Sequence, residues 1–273
     1  MNTTAVRASR LSVSYGGTLA IGPSDFSIEK GSVTAVIGPN GSGKSTLLNV
    51  VAGLIEPSSG SIEVDVSAGR LAYVMQATKV NENLPVTVRE VVAMGRYATL
   101  GPRRRMGAAD REAVDSAMHR LEIGRLAGRH LHDLSGGQRQ RVFVAQGLAQ
   151  DHDFLLLDEP LTGIDLTTAQ AIDEVIHGER SDGCTVIMTT HDLSEARSAD
   201  HALLLSGKVV ASGSPAEVLT EELLVEAYGP SLLHAEAGRM FLDDPAHSPV
   251  PGRHTHRERS IHTESDPSDL HGG

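Results

Sequence analysis

Val33-Thr34-Ala35-Val36-Ile37-Gly38-Pro39-Asn40-Gly41-Ser42-Gly43-Lys44-Ser45-Thr46-Leu47-Leu48 is the stretch that decides the fold. A β-branched apolar run enters a glycine-rich turn, and the turn leads into a helix-forming segment. Gly38 to Ser45 satisfies every fixed position of the pattern G-x-x-x-x-G-K-[ST]. The residue types have a physical reason. Glycines let the backbone curl until several N–H groups point at one anion, a concavity that a Cβ would obstruct. The following helix adds its unsatisfied N–H groups and the positive end of its dipole. Lys44 is then placed to reach the β- and γ-phosphates of a nucleoside triphosphate, and the Ser45 hydroxyl to hold Mg²⁺.

Working outward, 273 residues hold one large domain or two small ones, with ample length for a core. Aromatic residues make up only 3% and Trp is absent, so that core must be built from Val, Leu, Ile and Ala. The formal net charge of −11 argues against a nucleic-acid-binding surface, so no nucleic-acid partner is expected. A lone cysteine, Cys184, excludes an internal disulfide and fits a reducing compartment. Because it precedes the apolar run Thr185 to Met188, it reads as a buried structural thiol. Met1 to Tyr15 lacks the apolar segment of a secretory signal, and no window approaches ~18 consecutive apolar residues, so a soluble, non-spanning chain is expected.

Residues 5–15 alternate (Val6, Ala8, then Leu11, Val13, Tyr15) and predict a strand, as does the run around Phe26 and Ile28. After the glycine-rich turn comes a helix over about 45–52, a turn at Pro57-Ser58-Ser59-Gly60, and strands over 61–66 and 70–75, the last reaching Gln76. From Asn83 to Gln150 the periodicity becomes helical. Thr87 and Glu90 match a capping box, and 110–121 places Ala113, Val114, Ala117, Met118 and Leu121 on one face. Arg103-Arg104-Arg105 reads as a solvated loop. The α/β pattern then returns, with strands over 154–157, 185–189, 202–205 and 209–211, a helix over 166–179, and Ser214-Pro215 opening a short helix. One α/β domain, about 1–235, is therefore expected, interrupted by a helical insertion over about 83–150. Residues 243–273, rich in Pro, Ser, Asp and His, are expected to be disordered.

Two further segments bear on chemistry. Phe154-Leu155-Leu156-Leu157-Asp158-Glu159 is a buried-strand pattern ending in two carboxylates. It would deliver Asp158 to the sheet edge beside the phosphates to hold a Mg²⁺ shell, with Glu159 able to polarise an attacking water. Leu134-Ser135-Gly136-Gly137-Gln138-Arg139-Gln140-Arg141 opens a helix with a serine cap and two glycines, which makes a second anion-recognising helix N-terminus.

Taken together, these residues resemble those of an ATP-binding cassette (ABC) ATPase over about 5–230. Gly38 to Ser45, with Pro39, Asn40, Gly41, Ser42, Gly43 and Lys44 between them and Thr46 following, matches the Walker A motif. Leu155 to Glu159 matches Walker B, and Leu134 to Gln138 reproduces the LSGGQ signature. Tyr15 matches the aromatic that stacks on adenine, and Gln76 the Q-loop glutamine linking Mg²⁺ to the helical insertion. Gly163-Ile164-Asp165 matches the D-loop and His191 the switch histidine, so seven motifs stand in family order. The resemblance implies a P-loop NTPase of the ABC type: an α/β fold with a mixed sheet core, an N-terminal antiparallel part and a helical insertion. It implies ATP and Mg²⁺ as ligands and a head-to-tail homodimer. In that dimer each γ-phosphate meets Lys44 of one chain and Ser135-Gly136-Gly137 of the other, with His191 near the attacking water.

The segment Leu84 to Tyr97 is similar to the metal-importer branch, for zinc or manganese. That implies an ATPase held peripherally on the cytoplasmic membrane face by an integral permease, which docks at the Gln76 and helical-insertion side, together with an extracytoplasmic solute-binding protein. Siderophore and cobalamin importers have similar segments and remain an alternative, as does a soluble non-transport ABC ATPase. His254-x-His256 in the tail could form part of a metal site, although a solvated polar tail needs no ligand.

Overall fold

The structure, a computed structural model, describes residues 3–76, 85–100, 105–229, 233–236 and 239–242. The expectations for Leu84, for Arg103 and Arg104, and for the histidine-rich segment 243–273 fall outside the described residues. All described residues lie within one compact unit, Met1–Asp243.

Two sheets form the frame. Strands β1 (Thr4–Tyr15), β2 (Thr18–Glu29) and β4 (Ser59–Val64) make a three-stranded antiparallel sheet in the order β2-β1-β4. The second sheet orders β5 (Leu71–Val74), β6 (Phe154–Leu157), β7 (Thr185–Thr190), β3 (Val33–Ile37), β8 (His201–Leu205) and β9 (Val209–Gly213). Its first five strands are parallel and β9 returns antiparallel, so the sheet is mixed.

Period-2 alternation divides the buried side chains of this sheet between two cores. Val33, Ala35 and Ile37, Leu155 and Leu157, and Val186 and Met188 pack on the face covered by the helices. Val36, Phe154, Leu156, Ile187 and Leu203 pack on the other face, against β1, β2 and the helix α1 (Lys44–Val51). Both faces being covered explains the near-continuous apolar runs that mark these strands in the sequence.

The alternation in β1 changes phase midway, from Val6 and Ala8 to Leu11 and Val13, all buried. A bulge between Ala8 and Leu11, with Arg10 at φ +48°, supplies the extra residue that keeps both halves facing inward. This bulge also corrects the expected turn at 57–60. A Cβ at Gly60 would overlap the Arg10 carbonyl, so the glycine lets β4 run close against the bulge, and β4 begins at Ser59.

Between β5 and β6 lie α2 (Val88–Met94), α3 (Tyr97–Leu100), α4 (Ala108–Arg120) and α5 (Gly136–Leu148). The Thr87–Glu90 capping box opens α2, and Val114, Ala117 and Met118 form the buried stripe of α4. Arg96, 7% exposed, binds Asp110, Asp151 and the Ala149 carbonyl, tying this helical region to the segment leading into β6. After β6 come α6 (Leu166–Ser181), α7 (Leu193–Ser198), α8 (Pro215–Val218) and α9 (Glu221–Tyr228). A last antiparallel pair, β10 (Leu233–Glu236) and β11 (Arg239–Leu242), has no counterpart in the sequence reading.

Candidate functional site

Parallel strands β6, β7 and β3 end side by side, with Leu157 opposite Met188 and Ile37 opposite Thr190. That register brings the turn after β3, the carboxylates after β6 and the segment after β7 to one sheet edge, where open α/β sheets present ligands.

The β3–α1 turn is shaped by its glycines. A Cβ at Gly38 would overlap the Leu205 carbonyl and stand 2.6 Å from Ser42 Oγ. Gly41 and Gly43 take φ +80° and +105°, a region that glycine enters freely. Gly43 stands as the N-cap of α1 with no side-chain hydrogen bond, so the first N–H groups of that helix have no side-chain acceptor at the cap. The Ser42 hydroxyl is buried and without a hydrogen-bond partner. Lys44, 6% exposed, folds over the turn and donates from Nζ to the carbonyls of Gly38 (2.8 Å) and Pro39 (3.2 Å). Burial lowers its pKa, while Glu159 and Asp158 work in the opposite direction. A cleft of about 230 Å³ opens here, lined by Asn40, Gly41, Gly43, Lys44, Thr46 and Glu159 among others. A helix start without a side-chain cap, an orphaned hydroxyl and a buried cation fit a polyphosphate.

Oxygen ligands gather beside it. Asp158, 2% exposed, accepts from the Ser45 hydroxyl (3.1 Å) and from the Thr189 hydroxyl (2.9 Å) at the same Oδ1. A carboxylate and a hydroxyl in contact are the donor chemistry of a hard divalent cation such as Mg²⁺. Glu159 sits at φ +50°, unusual for a residue with a side chain, and its N–H donates to Thr189 Oγ1 at 2.8 Å. Gln76 Nε2 donates to Glu159 Oε2 at 3.1 Å, joining the end of β5 to the second carboxylate. Thr189, read in the sequence only as the end of a strand, braces both acids. Its signal was its place at the end of a buried strand in register with Asp158.

His191 follows β7, and its Nδ1 lies 3.4 Å from the Thr162 hydroxyl. Tyr15 ends β1 with its ring 48% exposed. Ser135, Gly136 and Gln138 line no part of the cleft. They instead form the start of α5: Ser135 Oγ accepts from the Gln138 N–H (3.3 Å), and Gln138 Oε1 from the Ser135 N–H (3.2 Å). Asp165 caps α6, accepting from the Thr168 N–H (3.0 Å) and hydroxyl (2.8 Å), and these bonds lower its pKa. The two signature glycines differ. A Cβ at Gly137 would meet Thr168 Oγ1 at 3.0 Å and Asp165 Oδ2 at 3.1 Å, whereas one at Gly136 would meet open space.

Fold and cleft together define a P-loop nucleoside-triphosphate-binding protein. The family model described as "ABC transporter" matches residues 21–162. The manganese transport system ATP-binding protein MntA of Synechocystis is 36% identical over 241 residues, covering 82% of this chain and 93% of its own. The zinc transport system ATP-binding protein TroB of Treponema pallidum is 38% identical over 231 residues, covering 82% and 87%. Among solved structures, a transporter assigned to the metal-chelate ABC type, captured facing inward, superposes with a TM-score of 0.75 at 29% identity, covering 88% of this chain and 96% of that one. The ADP- and phosphate-bound dimer of the cassette MJ0796 gives 0.67 at 25% identity, covering 77% and 98%. The chain belongs to the ABC transporter family, as its ATP-binding, ATP-hydrolysing subunit.

Proposed function

We propose that this subunit powers the import of a divalent metal ion, zinc or manganese, by closing a head-to-tail homodimer around two ATP molecules. The carrying observation is that, among the described residues, α1 and α5 both start at glycine-rich turns and of these two only the start of α1 lines the cleft. In a head-to-tail pair, Ser135, Gly136 and Gln138 of the partner subunit complete the site, consistent with the dimeric likeness.

The roles follow from the geometry. Backbone N–H groups of the turn from Gly41 through Thr46 grip the phosphates, and Lys44 exchanges its two carbonyl acceptors for phosphate oxygens. Ser45, Asp158 and Gln76 hold Mg²⁺, which screens the charge that builds up on the phosphates. Glu159, steadied by Thr189 and Gln76, takes a proton from the attacking water, and His191 helps hold that water against the γ-phosphate. Tyr15 stacks on the adenine with its exposed ring. Asp165 keeps the start of α6 against Gly137, so the signature turn and the segment before α6 move together.

No helix among the described residues is long and apolar enough to cross a membrane; in this reading the subunit works with an integral permease. Beside Gln76 a groove of about 310 Å³ is lined by Val86, Val91, Met94, Phe143 and Gln146, and Met75 and Tyr97 are exposed nearby in sequence. An apolar groove on the helical region suits a permease helix laid into it. On this reading the subunit sits peripherally on the cytoplasmic face, in a system whose extracytoplasmic binding protein delivers the ion. The metal assignment rests on the relatives named for manganese and zinc. The metal-chelate likeness favours a second reading, import of a chelated ion.

Reconstitution with the permease in liposomes tests both. ATP-dependent uptake of free Zn²⁺ or Mn²⁺ is expected, lost with Glu159→Gln. Uptake of the chelate alone would transfer the assignment to the second reading, and a Glu159→Gln protein that stays monomeric with its permease and saturating Mg²⁺-ATP would refute the closed dimer.

A further inference from the structure

Away from the nucleotide cleft, three residues of different ligand chemistry converge on one buried point. His152 lies in the segment before β6, Glu179 in the last turn of α6, and Cys184 immediately before β7. One ligand atom from each lies within 4.8 Å of the others, and the three side chains are closed off from solvent at 5–8% exposure. The backbone makes this meeting rigid. The Cys184 N–H donates to the Glu179 carbonyl (3.0 Å), and Gly183 turns at φ +86° to bring the thiol back beneath the carboxylate.

We propose that His152 Nε2, Glu179 Oε2 and Cys184 Sγ form a binding site for a thiophilic divalent cation, with Zn²⁺ as the fitting ion. The donor set decides the class. Imidazole, thiolate and one carboxylate is a zinc set, whereas Mg²⁺, Ca²⁺ and Mn²⁺ favour oxygen ligands.

The surrounding hydrogen bonds are an independent indication. A metal-binding histidine characteristically donates its other ring N–H to a carbonyl, and here Nδ1 donates to the Gln150 carbonyl at 2.6 Å, leaving Nε2 for the ion. Glu179 is likewise divided: Arg120, from α4, holds Oε1, while Oε2 faces His152 Nε2 at 2.8 Å. Chain neighbours of two ligands, Asp153 and Gly183, line an open hollow of about 280 Å³.

Charge balances in the exchange. With a carbonyl on Nδ1 and a carboxylate on Nε2, both ring nitrogens donate, so His152 is an imidazolium in the metal-free cluster. Binding releases the Nε2 proton and the thiol proton to solvent, so a dication replaces two protons and the cluster's net charge is unchanged. Because Arg120 belongs to the helical region and Glu179 to the ATPase core, the ion would sit at their junction. This holds whichever ion is transported.

Cobalt substitution on the full chain tests the site, because Cys184 is the only cysteine and tail histidines cannot produce a sulfur signal. Titration of the wild-type protein with Co²⁺ should raise a sulfur-to-cobalt charge-transfer band, saturating at one ion per chain and bleached by Zn²⁺. Cys184→Ser should abolish the band, and His152→Gln should weaken Co²⁺ binding at least tenfold. Arg120→Gln, which removes only the outer partner, should weaken it by roughly 10–100-fold. Circular dichroism and ATP binding show that each variant is folded; should Cys184→Ser not fold, Glu179→Gln takes its place, with the same expectation as His152→Gln. No band in folded wild type at saturating Co²⁺, or an unweakened band in His152→Gln, would overturn the proposal.

Discussion

Helices α1 and α5 both begin at a glycine-rich turn, yet they begin differently. α1 starts from Gly43 in a left-handed conformation with no side-chain cap, above a buried Ser42 hydroxyl that has no partner. α5 starts from Ser135 with a complete capping box, each of Ser135 and Gln138 satisfying the other's N–H. A helix end whose donors lack side-chain partners needs an anion, while a capped one is content alone. The first is built to bind nucleotide within one chain. In the proposed dimer the second must give up or share its own bonds, so there it would engage a phosphate that the other subunit's cleft has already brought to it.

The comparison is most easily broken at Lys44. Lys44→Ala should weaken nucleotide binding in the isolated subunit and cut hydrolysis by at least about 10²–10³-fold, the loss expected when one charged donor to the transferring phosphoryl group disappears. Nucleotide titration and phosphate release measure the two effects. Ser135→Arg comes next. Hydrolysis and ATP-dependent dimerisation in a Glu159→Gln background should vanish, but binding of ATP by the monomer should stay at the wild-type level. If Ser135→Arg weakens monomer binding as much as Lys44→Ala does, the two N-termini serve one site in one chain and the contrast collapses.

Much of this contrast was legible in the sequence, because its determinants are local. The β3–turn–α1 segment, the Ser135–Gln138 cap and the Thr87–Glu90 cap each depend on residues within a few positions, and propensity and spacing report such features directly. The buried runs 154–157 and 185–189 were readable for the related reason that both faces of the sheet are covered. What escaped depends on register between distant strands. Thr189 matters because β7 pairs with β6 so as to set it beside Asp158, 31 positions away. The His152–Glu179–Cys184 cluster joins residues 27 and 5 positions apart, across a strand and a helix end. Gly60 reads as part of a turn because it closes the Pro57-Ser58-Ser59-Gly60 cluster; its real partner, the Arg10 bulge, lies in another strand.

A smaller effect sharpens the comparison inside the signature turn. The sequence treats Gly136 and Gly137 alike, but only at Gly137 would a Cβ press on Asp165 and Thr168. Gly137→Ala should therefore displace the α6 cap and lower the melting temperature by roughly 2–4 °C, the shift of about 1 kcal/mol in a chain of this size. Gly136→Ala should leave the melting temperature unchanged or slightly raised and reduce hydrolysis instead, since its Cβ would project into the space a phosphate must enter. Equal melting shifts in the two variants would mean that the packing against Asp165 does not distinguish them.

The smallest effect is expected at Gln138, and it asks whether α5 is truly satisfied by itself. Gln138→Ala removes the acceptor for the Ser135 N–H but keeps the Ser135 cap on the Gln138 N–H. Ser135 is exposed, so water can take over the lost bond, and alanine favours the helix interior. Loss and gain nearly cancel, and the stability measured by urea denaturation should move by no more than about 0.5 kcal/mol. A loss well above 1 kcal/mol would show that the reciprocal bond, rather than the serine cap alone, holds the turn closed. In that case a phosphate arriving from the partner subunit would have to break it, and Gln138→Ala should make ATP-driven dimerisation easier rather than harder.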